Sequence, residues 1–272
     1  MLMMPDIFAF AEACLYHSPL EQLLALTKEA QQLATQKGLS VSQAEHVLPI
    51  GQVSFPNRPA LLPPREMPKR KLTTSAGLAA FFHAIAHVEF VAIYLAWDMI
   101  YRFRGLPAAF YYDWLGVAAE EAEHFQLLHK KLQTYGYDYG DLPAHSGLWD
   151  LAQYSADDVL LRLALVPRNM EAHGLDVTPP LIEKFKQLND EEAVALLTRI
   201  LSDEVGHVAL GSKWFCYVCE QRYLPPEQTF QRLIADYYAH KGGSLKGQLN
   251  YALRQQAGFS ASELAWLEAN VC

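Results

Sequence analysis

Four long runs of helical periodicity, punctuated by glycine and proline and almost without strand signals, limit this chain to an all-α fold. Few Val/Ile/Thr-rich segments alternate, and no Asn-Gly or Asp-Gly joins two apolar runs. The first run begins after Thr73-Thr74-Ser75 and is expected to reach about Arg104, where Gly105 and Pro107 stop it. The second spans Pro107 to about Tyr135 and ends at Gly136. Ser155-Ala156-Asp157-Asp158 caps the third, which is expected to kink at Pro167 and end near Gly174, with a short helix restarting at Thr178-Pro179. Asn189-Asp190-Glu191-Glu192 caps the fourth, reaching about Tyr223. Short links make neighbouring runs antiparallel, and the long link over residues 136–155 is a crossover, so the runs describe a four-helix bundle.

The flanks read as attachments to that bundle. Residues 1–72 are expected to form N-terminal helices and a Pro-rich strap, 73–223 the bundle, and 224–272 a C-terminal helical extension, all in one compact unit. Ser18-Pro19-Leu20-Glu21 has the form of a capping box opening a helix that dies near Gly38. Pro49, Pro56, Pro59, Pro63, Pro64 and Pro68 force an extended strap, which Val47, Leu48, Ile50, Val53, Phe55, Leu61 and Leu62 could anchor on the bundle surface. Ser260-Ala261-Ser262-Glu263 caps a last helix.

Composition removes several classes of function. Over 272 residues, 51% are hydrophobic and 19% charged, which excludes disorder over most of the chain. Lys+Arg 22 against Asp+Glu 30 leaves a net charge of −8, which argues against a protein held mainly by nucleic-acid phosphates. Cys14, Cys216, Cys219 and Cys272 are too few and scattered for a disulfide framework, so a reducing cytoplasm is expected. Met1 to Phe10 carries Asp6 and no basic lead-in, against a secretory signal. The most apolar stretch, Ala76 to Tyr101, contains His83, His87, Glu89 and Asp98, against a lipid-facing span.

The chemistry sits on the four runs. Glu121-Ala122-Glu123-His124 in the second and Glu204-Val205-Gly206-His207 in the fourth are each Glu-x-x-His. That spacing stacks both side chains on one helix face, one turn apart, where they can grip one metal ion. Runs one and three each supply a glutamate within an apolar stretch, Glu89 and Glu171. At about 1.5 Å per residue, Glu89 lies near the level of Glu121 and His124 on antiparallel arms. One Glu-x-x-His is common on a solvated face. Two on alternate helices, each with a partner glutamate, form the donor set of ferritin-like carboxylate-bridged di-iron or di-manganese centres. Four carboxylates neutralise two divalent cations, and one imidazole per metal leaves positions open for dioxygen or water. Ala86 and Ala92 beside Glu89, and Gly206 and Gly211 around His207, would leave room at the metals. Asp203 and Glu120, each preceding a ligand glutamate, are candidates to orient a ligand imidazole.

These residues resemble the bacterial ferritin-like proteins grouped as domain of unknown function 455. The resemblance rests on Ala86-His87-Val88-Glu89, Ala119-Glu120-Glu121-Ala122-Glu123-His124, the stretch from Glu171 to Pro179, and Asp203 to Ala209, with Ser244-Leu245-Lys246-Gly247 and Asn250 in the tail. It implies a ferritin-like bundle with a di-metal centre and leaves the reaction open. A more distant likeness to a tRNA-modifying hydroxylase supplies one testable substrate class, disfavoured by the charge.

The remaining candidates have simpler readings. His83, His87 and His173 fit hydrogen-bonded packing histidines, and Cys216 and Cys219 packing cysteines. Tyr94, Trp97, Tyr111, Tyr112 and Trp114 could relay electrons, but their spacing is that of a core stripe. Arg65, Lys69, Arg70 and Lys71 read as a solvated helix approach, and the Gly242–Gly247 turn, with Lys246 and Arg254, as an inter-helix loop rather than the cover of a pocket mouth. The expected function is therefore that of a di-metal protein, iron favoured over manganese, oxidising or hydroxylating a small organic substrate with dioxygen and an electron-donor protein. Iron oxidation without an organic substrate and a metal-stabilised scaffold are the alternatives.

Overall fold

The computed structural model describes residues 4–42, 47–53, 55–67, 71–242, 244 and 247–271. Lys69 and Arg70 of the basic run, Pro68 of the strap, and Gly243, Leu245 and Lys246 of the tail turn lie outside the described residues. The described residues are all-helical, with two isolated β-bridges and no strand. The chain forms two compact units, Met1–Gln153 and Tyr154–Cys272, so the division falls within the segment 73–223.

The first unit contains α1 (Ile7–Tyr16), α2 (Leu20–Thr35), α3 (Ser75–Arg102) and α4 (Ala108–Gln133). Thr74 starts α3 by accepting a hydrogen bond from the Gly77 amide, as expected of a threonine N-cap. α3 is apolar around most of its circumference, the signature of a helix covered on all sides. It packs antiparallel to α4 and also against α1. Among the described helices it alone is long and apolar enough to cross a membrane, and most of it is buried inside the protein. Its few polar groups have partners: Trp97 donates to Thr27 Oγ1 at 2.9 Å, and the Tyr101 hydroxyl to Glu12 at 2.7 Å.

Residues of the strap contact this unit at several points. Phe55 packs against Phe90, Tyr94 and Trp149, with ring centroids 6.0, 4.6 and 5.0 Å away. The Leu62 amide donates to the Ala144 carbonyl at 2.8 Å, and the Ala144 amide to the Ala60 carbonyl at 3.0 Å. Leu61 is not an anchor, being 51% exposed. The Ser18 capping box does not form. Its hydroxyl donates instead to the Ala13 carbonyl at 2.8 Å, at the end of α1, and Pro19 begins α2 without a side-chain cap. The aromatic loop after α4 contains a short helix that its sequence does not announce, α5 (Gly147–Tyr154).

The second unit contains α6 (Val159–Leu165), a π-helical segment (Val166–Glu171), α7 (Ala172–Gln187), α8 (Glu191–Gln221), α9 (Pro226–Lys241), α10 (Tyr251–Gln256) and α11 (Ala261–Asn270). Asp158 and Asp190 cap α6 and α8, and Ser260 with Glu263 closes a complete capping box on α11. The kink expected at Pro167 takes the form of the π segment. Proline has no N–H for the Leu163 carbonyl, and a widened turn absorbs the defect without ending the helix. The end expected near Gly174 and the restart at Pro179 are overturned: α7 runs through both. Pro179 and Pro180 deprive two carbonyls of helical donors, but α7 packs along α8 and is tied to α10. Arg254 grips Asp176 with two hydrogen bonds, 2.9 and 2.7 Å, and the Asn250 amide adds a third at 2.8 Å.

The two glycines expected to leave room at a metal do not play that part. Gly206 is exposed with nothing within 4 Å of an added Cβ. At Gly211 an added Cβ would sit 2.4 and 2.6 Å from Pro167 Cβ and Cγ, so this glycine lets α8 approach the π segment. Because a proline ring cannot rotate away, Gly211→Ala is expected to cost about 1–3 kcal/mol or more. A thermal melt should show the loss, and an unchanged midpoint would contradict the close approach.

Candidate metal centre

The antiparallel packing of α3 and α4 brings three predicted donors together in the first unit. Glu89, Glu121 and His124 are 4%, 1% and 0% exposed. His124 Nδ1 lies 3.4 Å from Glu89 Oε2 and 3.5 Å from Glu121 Oε2. One donor atom from each residue falls in a group whose atoms lie within 4.8 Å of one another, close enough to share a metal ion. The level expected from helical rise is therefore correct for this pair of helices.

The second unit repeats the local geometry. On α8, His207 Nδ1 lies 3.6 Å from Glu204 Oε1; the imidazole is buried and the carboxylate half-buried. In both Glu-x-x-His pairs the same ring nitrogen faces the glutamate one turn earlier. Glu171 is half-buried and is the last residue of the π segment.

The electrostatics of the first group test whether a cation belongs there. Burial alone would drive the His124 imidazolium toward neutrality. Hydrogen bonding and Coulomb attraction from Glu121 and Glu89 outweigh it and raise the ring to about 11. Two buried carboxylates thus favour a positive charge on the ring that faces them, carried by a proton. A divalent ion coordinated by the same three groups would replace that proton, so the donor set fits a metal.

A polar network that the sequence had not indicated lies along the same helix. The Tyr139 hydroxyl is 2.9 Å from His87 Nδ1, and His87 Nε2 is 3.2 Å from the His145 carbonyl. A carbonyl only accepts, so Nε2 carries the proton and Nδ1 accepts from Tyr139. Burial, foremost, presses this imidazole down to about 4, so it stays neutral. His83 Nε2 accepts from the Gly140 amide at 3.0 Å. Both histidines are packing residues, as expected.

Residues 16–265 match the family described as "Protein of unknown function (DUF455)". The chain belongs to that family. It is also 45% identical over 221 residues to an uncharacterized protein of Haemophilus influenzae, covering 79% of this chain and 76% of that one. No solved structure matches it. All six predicted donors of this DUF455 chain fall inside the matched span.

The other predicted residues of the DUF455 chain are dispersed. Glu120 is exposed on α4, and Asp203 is half-buried with its carboxylate 3.8 Å from Arg199. His173 Nδ1 lies 3.6 Å from Asp176. Cys14 and Cys219 are buried and Cys216 exposed, and all three are free thiols. Tyr94, Trp97, Tyr111 and Trp114 are core residues, whereas Tyr112 reaches the surface and donates to the Leu39 carbonyl at 2.9 Å. Arg254 is fully buried against Asp176, which removes it from any pocket mouth.

Proposed function

We propose that this chain is a di-metal carboxylate protein that uses dioxygen to oxidise or hydroxylate a small organic substrate. Glu89, Glu121 and His124 would hold one ion, and Glu171, Glu204 and His207 the other. The observation that carries the reading is the repeated arrangement of a buried imidazole with Nδ1 toward a glutamate one turn earlier, on α4 and again on α8. A pair of redox-active metals, when bound, supplies the electrons and open coordination positions that dioxygen reduction needs.

The protein's own residues supply the rest. Glu89 and Glu121, both buried, would neutralise the charge of an ion, and His124 would add a nitrogen donor. Phe90 and Phe125, the residues that follow Glu89 and His124, are buried with ring centroids 6.1 Å apart. Iron is favoured and manganese fits the same oxygen and nitrogen set. An electron-donor protein and a cytoplasmic setting complete the proposal, and the net charge of −8 disfavours nucleic acid as substrate.

Metal analysis of protein purified from its own host, then anaerobic reduction and exposure to oxygen, tests the reading. About two ions per chain and a transient visible absorption are expected. Metal content at background would overturn the di-metal centre. Sustained ferrous oxidation without any organic substrate would replace the oxidase with an iron-handling role.

A further inference from the structure

The π segment that ends on Glu171 is held at three consecutive residues, each by a different set of partners in the second unit. Pro167 is met by Gly211 of α8, where an added Cβ would clash at 2.4 Å. Arg168 is 1% exposed and donates through Nη2 to Glu263 Oε1 of α11 at 2.9 Å and through Nε to Ser212 Oγ of α8 at 3.2 Å. Its guanidinium carbon also lies 4.8, 4.2 and 4.7 Å from the ring centroids of Phe215, Phe230 and Phe259. Asn169 shares a hydrogen bond with the Tyr238 hydroxyl of α9 at 3.3 Å. Beyond these anchors, Met170 is exposed and Glu171 comes next.

A buried charge is costly to keep, and replacing such a pair with apolar side chains is often neutral for stability. Stability is therefore a poor account of an arginine enclosed by three aromatic rings and one carboxylate. Register is a better one. Side chains advance around a helix by roughly 100° per residue, so a one-residue slip of the π segment would turn Glu171 to a different face. Anchoring residues 167 to 169 fixes that register immediately before the glutamate.

We propose that Arg168 and Glu263 are positioning residues for the metal centre: the C-terminal helix α11 clamps the π segment through Arg168 and thereby aims Glu171 at its ion. The proposal rests on the di-metal reading given above. It makes the C-terminal extension part of the centre rather than an appendage.

The test uses the full chain, manganese(II) as the probe metal, and Glu263→Gln. Glutamine keeps the volume and can still accept from the Ser260 amide that now meets Glu263 Oε2 at 2.9 Å, so the α11 cap survives while the charge is lost. Wild type is expected to bind two ions with the magnetic-resonance spectrum of a coupled pair. Glu263→Gln should keep its helical content but bind one of the two at least about tenfold more weakly, with an isolated-ion spectrum appearing. Asp176→Asn, which disturbs a different buried arginine pair of this unit, should lose stability and keep both ions. If Glu263→Gln keeps both ions at wild-type affinity and spectrum while melting earlier, the clamp is only structural and the proposal falls alone. A wild-type chain that binds no manganese would overturn the di-metal reading itself. Arg168→Lys, which retains charge but loses the fork, gives the same readout should the glutamine variant fail to fold.

Discussion

Replacing both His124 and His207 by alanine is expected to strip the protein of tightly held divalent metal. Each proposed ion loses its only nitrogen donor, and because losing even a supporting group costs 10- to 100-fold, each site should weaken by more than about 100-fold. The variant also touches stability. His124 lies within 3.5 Å of two carboxylates that are almost fully buried. Removing the imidazole that faces both acids takes away a shared buried partner, and breaking a buried ion pair of this kind costs about 3–5 kcal/mol. Elemental analysis and denaturant unfolding read the two effects separately. His207→Ala alone, beside a half-buried glutamate, should lose metal at a smaller cost in stability. Wild-type metal content in the double variant would end the six-donor assignment.

The second large effect belongs to Asp176. Its carboxylate accepts three hydrogen bonds, two from Arg254, which is fully buried. Asp176→Ala leaves that guanidinium without a counter-charge and is expected to cost about 3–5 kcal/mol. The same contacts set the pH dependence. Burial would raise the Asp176 pKa, but Arg254, His173 and the Asn250 amide outweigh it and hold the group below its ordinary value. A carboxylate with a depressed folded-state pKa contributes stability that is present above its unfolded pKa and lost as pH falls through the folded one. The gap between wild type and Asp176→Ala should therefore be full near neutrality and shrink below about pH 4. A gap that stayed constant into acid would mean that packing, not the ion pair, carries the effect.

Much of the frame was legible because it is local. Thr74, Asp158, Asp190 and Ser260 all cap the helices that their positions announce, since a cap needs only a side-chain oxygen within three residues of free amides. The level at which Glu89 meets Glu121 and His124 comes from counting residues on two antiparallel helices joined by a short turn. Where local signals competed with distant partners, they failed. Ser18 has the cap spacing, yet its hydroxyl goes to the Ala13 carbonyl that the end of α1 presents. Gly174, Pro179 and Pro180 spell a helix end, yet α7 continues because Asp176 is locked by a side chain 78 residues away. Pro167 marked a defect without revealing its form, and Gly211 looked like space for a metal when its space belongs to that proline.

By itself the sequence determined most of the helices and several of their caps, and it marked six side chains as candidate donors, because a spacing of three on a helix places two groups on one face whatever surrounds them. Tertiary structure alone decided the register of the π segment before Glu171, the passage of α7 through its prolines, and the balance of burial and facing carboxylates that raises the His124 pKa. Those properties depend on what buries a group and what meets it from far along the chain. Arg168 finds Glu263 at a separation of 95 residues, a distance over which no local pattern carries information.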